Sequence, residues 1–398
     1  MKLLYLILSS WILTTVSCTK ADTIQDNPKD INLEESVSDF SFNTLKALSS
    51  DAENVLFSPL SLHIALSMTT MGATDNSLDN LRSILNLEDL TRMEISDGYR
   101  DLLINLMSTN DSTLLSCNNQ LFYDESRITL YEEFRQLVKN GFDNGELVLD
   151  FNDPDAVNKI NQWAAESTND RIKEILKNIE DTEVLFIVNA LYFTGDWKLG
   201  FDPDQTITEI FSTNDQESYN VEMMTSDDLR MSYIGDDYGA VDLYFKGDEY
   251  AMTFILSDDS PGGFLSSTDS LKQWYIDLIS NKLVLQRTYL KLPRFQIVSK
   301  YLLNDVFKAI GLTEIWKGKA NFSDMGISPL GPLYVSRILH DAFLKVDEKG
   351  VEGAAVTVVG IAADSAPPQL IFNRPFFFII RHVETNTPIF AGIFNKPE

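Results

Sequence analysis

From about residue 35 to the C-terminus, apolar periodicity rarely lapses for long, and no composition shift marks a linker. That continuity is the tightest constraint on the fold. Domains are normally separated by exposed polar linkers. None is visible, so the 35–398 stretch is expected to share one large domain and one extensive core. The period itself changes along the chain. Ser58 and Pro59 open LSLHIALSMTTMG as a cap and first-turn pair, with Gly72 at its end. TLYEEFRQLVKNGF and DAVNKINQWAAEST also carry helical spacing. VLFIVNALYF, YGAVDLYF, YAMTFIL, KLVLQRTYLKLPRF and PFFFIIRHV read as strands. KYLLNDVFKAIG predicts one more helix, stopped by Gly311. Helices first and long strands afterwards predict an α+β fold with large sheets.

The first 34 residues read differently. Lys2 precedes the apolar run LLYLILSSWILTTV, and small residues follow, so residues 1–17 are expected to be a signal peptide. The run is too short and too early for a stable membrane span. It ends in TTVSCTK, which resembles a bacterial lipobox with Thr15 where leucine is usual. Cys18 is therefore a candidate lipidation site, and membrane attachment through a lipid there stands beside plain secretion. Residues 18–34 are polar and acidic and read as a tether. The protein is expected to be exported, either extracellular or anchored at the cell surface.

With Cys18 removed or acylated, Cys117 stands alone, and no disulfide staples the mature chain. His63, His340 and His382 are scattered without paired ligand spacing, so neither a metal site nor a cofactor is expected. A net charge of −27 disfavours nucleic acid and anionic membranes and favours cationic partners. Asn110-Asp-Ser and Asn321-Phe-Ser are glycan acceptors only in a host that glycosylates secreted proteins.

The informative stretch is VDEKGVEGAAVTVVGIAADSAPPQLIFNRP, Val346 to Pro375. After DEKG, the segment VEGAAVTVVGIAAD lacks helical spacing and suits a strand with small side chains. One alternate face carries Val351, Gly353, Ala355, Thr357 and Val359, all uncharged and small or β-branched. The other carries Glu352, Ala354, Val356, Val358 and Gly360, with the only charge in that span. Two prolines then stiffen the chain and remove donors. On pattern alone this reads as an ordinary core strand followed by a turn.

Several other segments fall in an order that resembles the serpin family over roughly residues 35 to 398. NVLFSPLSLHIALSMTTMGA and FIVNALYFTGDWKLGFDPDQT are similar to two family signatures. VEMMT, KLPRF, ANFSD, LYVSRILHDAFLKVDEKG and FNRPFFFIIRHVETNTPIFAGIFNKP follow in the family's order. The nearest departure is Asp75 to Ser77, where many members carry a glycine and a threonine; it touches a local turn. The resemblance implies a serpin fold of about nine helices and three β-sheets, with an exposed reactive-centre loop at about 348–368.

It also implies residue roles. Glu348, Lys349 and Gly350 match the start of the loop. Gly350 and Val351, followed by Glu352, Gly353, Ala354 and Ala355, match the hinge about which the loop enters the main sheet. Ser58, Ser61, Asn189 and His340 match the shutter beneath the strands that part, and Trp197 matches the breach. Asn373, Pro375 and Phe376 match the strand that anchors the far end. The scissile bond falls at Asp364-Ser365, with Ile361, Ala362 and Ala363 as the alternative register.

The implied activity is irreversible suicide-substrate inhibition of a serine protease. The protease forms a covalent acyl complex, and the cleaved loop inserts into the central sheet before the ester hydrolyses. Small apolar residues before Asp364 suit an elastase-like target. Asp364 itself suits an aspartate-specific protease of granzyme B-like or caspase-like type, since a trypsin-like pocket would bury two carboxylates together. A monomer is expected, with loop-sheet polymers as the family's hazard. A non-inhibitory serpin with a binding or chaperone-like role is the first rival. An enzyme is the second, built on Asp347, Glu348 and Glu352 as paired carboxylates or on Cys117 as a nucleophile.

Overall fold

The computed structural model describes residues 32–397, apart from 51, 108–111 and 352–366. The expected signal peptide, Cys18, Asn110, Glu352 to Ala355 and the candidate bonds at Ile361 to Ser365 lie outside the described residues.

The first helix, Leu33–Leu48, is capped by Asn32, whose side chain accepts from the Glu35 N–H at 3.0 Å. Leu33 is fully buried. The last residues assigned to the tether thus belong to the folded body, because Leu33 completes an apolar helix face. Pro59–Thr70 begins where Ser58 and Pro59 predict, and Ser58 accepts from the Ser61 N–H. Glu132–Phe142 starts three residues later than its spacing predicts, since Thr129–Leu130 pairs with Gly326–Ile327. Ala156–Ser167 forms as expected.

The segment KYLLNDVFKAIG divides. Its first three residues close the strand Phe295–Leu302, and only Asn304–Ala309 is helical. The strand wins because Phe295 to Leu302 alternates buried and exposed side chains and pairs along its full length with Leu339–Val346. Local helical spacing cannot register a partner so distant in sequence. Counting these with Asp75–Leu85, Arg92–Leu106, Pro261–Ser267 and Leu271–Asp277, nine α-helices occur among the described residues.

Strands from the second half assemble the largest sheet. Phe376–His382 pairs between Pro388–Phe394 and Tyr250–Ser257. The sheet continues through Tyr238–Tyr244, Ser218–Ile234 and Val284–Pro293 to Gln369–Ile371. A second sheet holds Asn144–Val148, Thr113–Tyr123, Leu185–Asp196 and the short Gly350–Val351, in that order. Phe295–Leu302 and Leu339–Val346 form a separate pair. Among the described residues no ladder bond joins Leu339–Val346 to Leu185–Asp196. Among the described residues these two strands are therefore parted, and the part-line is where the candidate site lies.

Candidate functional site

The chain leaves Leu339–Val346 and reverses over Asp347 to Gly350. The Asp347 N–H donates to Gly350 O at 3.1 Å, and the Gly350 N–H donates back to Asp347 O at 3.3 Å. Gly350 and Val351 then run antiparallel to Asp196 and Gly195. Thr194 Oγ1 donates to Val351 O at 2.8 Å. A Cβ on Gly350 would stand 2.0 Å from Gly195 O, so only glycine permits this approach. Gly350 and Val351, which the resemblance assigns to a hinge, thus form the edge strand beside Leu185–Asp196, at one end of the parting.

Glu348 clamps that turn to the body. Arg294 donates to its carboxylate through Nη2 and, at 3.2 Å, through Nε. Thr206 Oγ1 donates at 2.7 Å, and the Phe201 N–H donates to Glu348 O at 2.9 Å. The Glu348 side chain is 6% exposed, against 42% for Arg294. Burial disfavours the carboxylate, but the Arg294 and Thr206 hydrogen bonds outweigh it and hold its pKa below the ordinary glutamate value. Trp197 completes the cluster. Its indole N–H donates to Asp347 O at 3.0 Å, its backbone N–H donates to Lys349 O at 2.7 Å, and its ring stacks 4.5 Å from Phe245.

Further along the parting lies a second polar cluster. Ser58 Oγ donates to Ile389 O at 2.8 Å, and the Ser58 N–H donates to His340 Nε2 at 2.9 Å. Burial pulls the His340 pKa down to about 4, so the ring is neutral at ordinary pH and Nε2 is free to accept. Ser58, Ser61 and His340 thus come together on one side. Asn189 stands on the opposite wall, where its Nδ2 donates to Asn119 Oδ1 at 2.6 Å and to Cys117 Sγ at 3.3 Å. Its Oδ1 is buried without a partner. Between the walls lies a cavity of about 640 Å³, bounded by Val188, Asn189 and Ala190 on one side and by Leu339, His340 and Asp341 on the other.

The distal end of the loop is tied to the large sheet. The Tyr289 N–H donates to Pro368 O at 2.9 Å, and Gln369–Ile371 runs parallel to Tyr289–Lys291. The Ser212 N–H donates to Asn373 O at 2.9 Å, and Phe376 opens the next strand beyond Pro375.

Of the residues named for an enzyme, Glu352 lies outside the described residues and the others are engaged elsewhere. Glu348 is consumed by Arg294, and Asp347 by Lys345 at 3.1 Å and by the Lys349 N–H at 3.0 Å. Burial pushes the Cys117 thiol up to about 11, which keeps it protonated and unreactive. Sequence reasoning passed over Arg294, Thr206, Thr194, Asn119 and Asp341. Arg294 shares KLPRF with a second cation, Lys291, so its charge does not single it out, and the others carry no local signal.

Residues 35–397 match the family model for serpin, serine protease inhibitor. The chain is 30% identical over 379 residues to rat "Serine protease inhibitor A3L", covering 92% of this chain and 90% of that protein. It is 31% identical to human "Neuroserpin" over 386 residues, covering 92% of each. The native-state structure of the thermophilic serpin tengpin superposes with a TM-score of 0.84 at 28% identity, covering 92% of this chain and 95% of that one. The chain belongs to the serpin family, whose members that it resembles in sequence are protease inhibitors rather than enzymes.

Proposed function

We propose that this protein is a single-use inhibitor of serine proteases whose cleaved loop inserts between Leu185–Asp196 and Leu339–Val346. The observation that carries this is the parted layer with Gly350 and Val351 already seated at one end of it. Continuing their register sets Gly353 opposite Phe193, Ala355 opposite Leu191, Thr357 opposite Asn189, Val359 opposite Ile187 and Ile361 opposite Leu185. Paired residues share a face. On Leu185–Asp196 the face of Leu191, Phe193 and Gly195 is buried at those three positions, while Val188 and Ala190 are buried on the other face. The uncharged alternate face of the loop therefore enters the body, and Glu352 stays on the face of Thr194. Thr357 arrives between Asn189 and His340, where its hydroxyl supplies the donor that Asn189 Oδ1 lacks.

The energetics suit a trap. A strand from Val351 to Ile361 gains ladder hydrogen bonds to both neighbouring strands and buries its uncharged face, gains that oppose the entropy of ordering about ten residues. The unfilled state is then held by a barrier rather than by its free energy. Every candidate bond lies at or beyond the end of this strand. Cleavage after Asp364 leaves three residues past Ile361, a tether of about 10 Å, so a protease held there as an acyl-enzyme is carried to the far end of the sheet. Its oxyanion hole is pulled out of shape before deacylation.

The target is an elastase-like protease with a pocket for small apolar side chains. Ile361, Ala362 and Ala363 supply the bait, and the −27 charge favours encounter with cationic enzymes. Asp364 favours a second reading, an aspartate-specific protease with a basic primary pocket. Export through the 1–17 leader, with a lipid on Cys18 as the anchored form, puts the inhibitor where such enzymes act.

The test is incubation with neutrophil elastase, subtilisin, trypsin and granzyme B, followed by denaturing gels and intact mass of the released C-terminal peptide. A detergent-stable complex is expected. A peptide beginning at Ser365 assigns Asp364 as the residue read, and one beginning at Ala363 or Asp364 assigns the elastase-like register. Cleavage by all four without a complex, and without a rise in thermal stability, overturns the proposal in favour of a binding role.

A further inference from the structure

Asp341 occupies the wall of the parting on the face away from His340. It lies between Leu339, packed with Val188 and Ile160 in an apolar cluster, and Phe343, whose ring carries Arg171 at 5.2 Å. Its side chain is 9% exposed, and Oδ2 is buried with no hydrogen-bond partner. Lys300, its cross-strand neighbour, stands 3.7 Å from Oδ2, an ion contact longer than a hydrogen bond. The same Lys300 Nζ donates to Glu174 O at 3.1 Å and is 54% exposed. The other charges acting on this carboxyl are Glu174 and Lys177, from the segment that follows the Ala156–Ser167 helix.

The hairpin register set by Asp347 and Gly350 brings Val356 opposite Asp341 when the loop inserts, on the same face as Ala190. Val356 has no polar atom, and the N–H groups of an inserted strand are spent on the ladders. The incoming strand thus covers Asp341 without giving Oδ2 a donor. An ionised carboxylate there must lose its remaining water with no new donor, Lys300 and Lys177 favouring the charge and Glu174 opposing it, which is unfavourable; a protonated one is covered at little cost.

We propose that Asp341 is an electrostatic brake on strand insertion, a positioning residue that slows the inhibitory rearrangement while it is charged and releases it when it is protonated. This rests on the insertion reading above. Burial raises the Asp341 pKa to about 6, the opposed charge of Lys300 offsetting only part of it. The carboxyl is therefore mostly neutral below that pH and charged above it, and covering by the strand raises its pKa further. Insertion is accordingly faster on the acid side. His340 titrates lower, at about 4, below the range of Asp341.

The experiment follows insertion after loop cleavage, by an environment-sensitive fluorophore on a cysteine placed at position 358, in the full chain and in Asp341→Asn and Lys300→Met. In the parent, insertion is expected to accelerate about tenfold from pH 7.5 to 5.5, one pKa unit of differential charging. Asp341→Asn, of the same shape, is expected to insert about tenfold faster at pH 7.5 and to lose the dependence. Lys300→Met is expected to move the dependence to higher pH. An unchanged slope in Asp341→Asn, with insertion intact, overturns the brake alone. No insertion in any variant, seen as no gain in melting temperature on cleavage, overturns the brake and the insertion reading together.

Discussion

The Glu348–Arg294 contact supports an asymmetric prediction. Glu348 is almost wholly buried, whereas Arg294 is 42% exposed. Replacing Arg294 by methionine leaves a buried carboxylate with the Thr206 hydroxyl at 2.7 Å as its remaining side-chain donor. Breaking a buried pair from that side destabilises by about 3 kcal/mol. Replacing Glu348 by glutamine keeps an acceptor for Thr206 and lets the half-exposed guanidinium return to water, so about 1 kcal/mol is expected. Both changes loosen the turn that holds Gly350 and Val351 at the mouth of the parting. The assay is the first transition in urea, together with the half-life for spontaneous conversion to an inserted form at fixed temperature. Arg294→Met is expected to shorten that half-life by more than tenfold, and Glu348→Gln by less. The pH dependence has a definite sign. A carboxyl whose pKa is lowered on folding contributes stability above the unfolded value, about 4.3 for glutamate, and loses it as pH falls through the folded value. Glu348→Gln should therefore match the parent at pH 3 and fall below it at pH 7. Equal losses from the two variants, or a wild-type half-life for Arg294→Met, would refute the clamp.

Two further outcomes follow from the same geometry. Gly350→Ala is expected to expel Val351 from its pairing with Gly195, because the new Cβ meets Gly195 O at 2.0 Å; hydrogen exchange at Gly195 and Asp196 should rise, and protected amides there would contradict it. His340→Ala leaves the Ser58 N–H without its acceptor, a loss of about 1–3 kcal/mol. It is expected to speed conversion to the latent, inserted form by roughly tenfold or more, and an unchanged conversion rate would count against a shutter at this position.

Much of this was legible in the chain. Ser58 and Pro59 mark a helix start because capping needs only adjacent residues, and the alternation in VLFIVNALYF marks a strand because its period is local. The ordered motifs carried the family. Local pattern also divides the loop into an uncharged face and a face bearing Glu352. The same pattern misread Lys300 to Leu302 as helix, since the pairing that makes them a strand comes from Leu339 to Asp341. Arg294 and Thr206 gave no warning of Glu348, although all three meet in space. VEGAAVTVVGIAAD reads as a strand whichever sheet holds it, and a pattern of period two cannot tell a strand in place from one held in reserve. By itself the sequence determined the elements, the family and the chemistry of the loop's faces, all properties of neighbours along the chain. Only the tertiary structure decided that Leu185–Asp196 and Leu339–Val346 are parted among the described residues, that Gly350 and Val351 occupy the mouth of the parting, and that Asp341 sits on its wall with Oδ2 lacking a hydrogen bond, because each depends on strands meeting across long stretches of sequence.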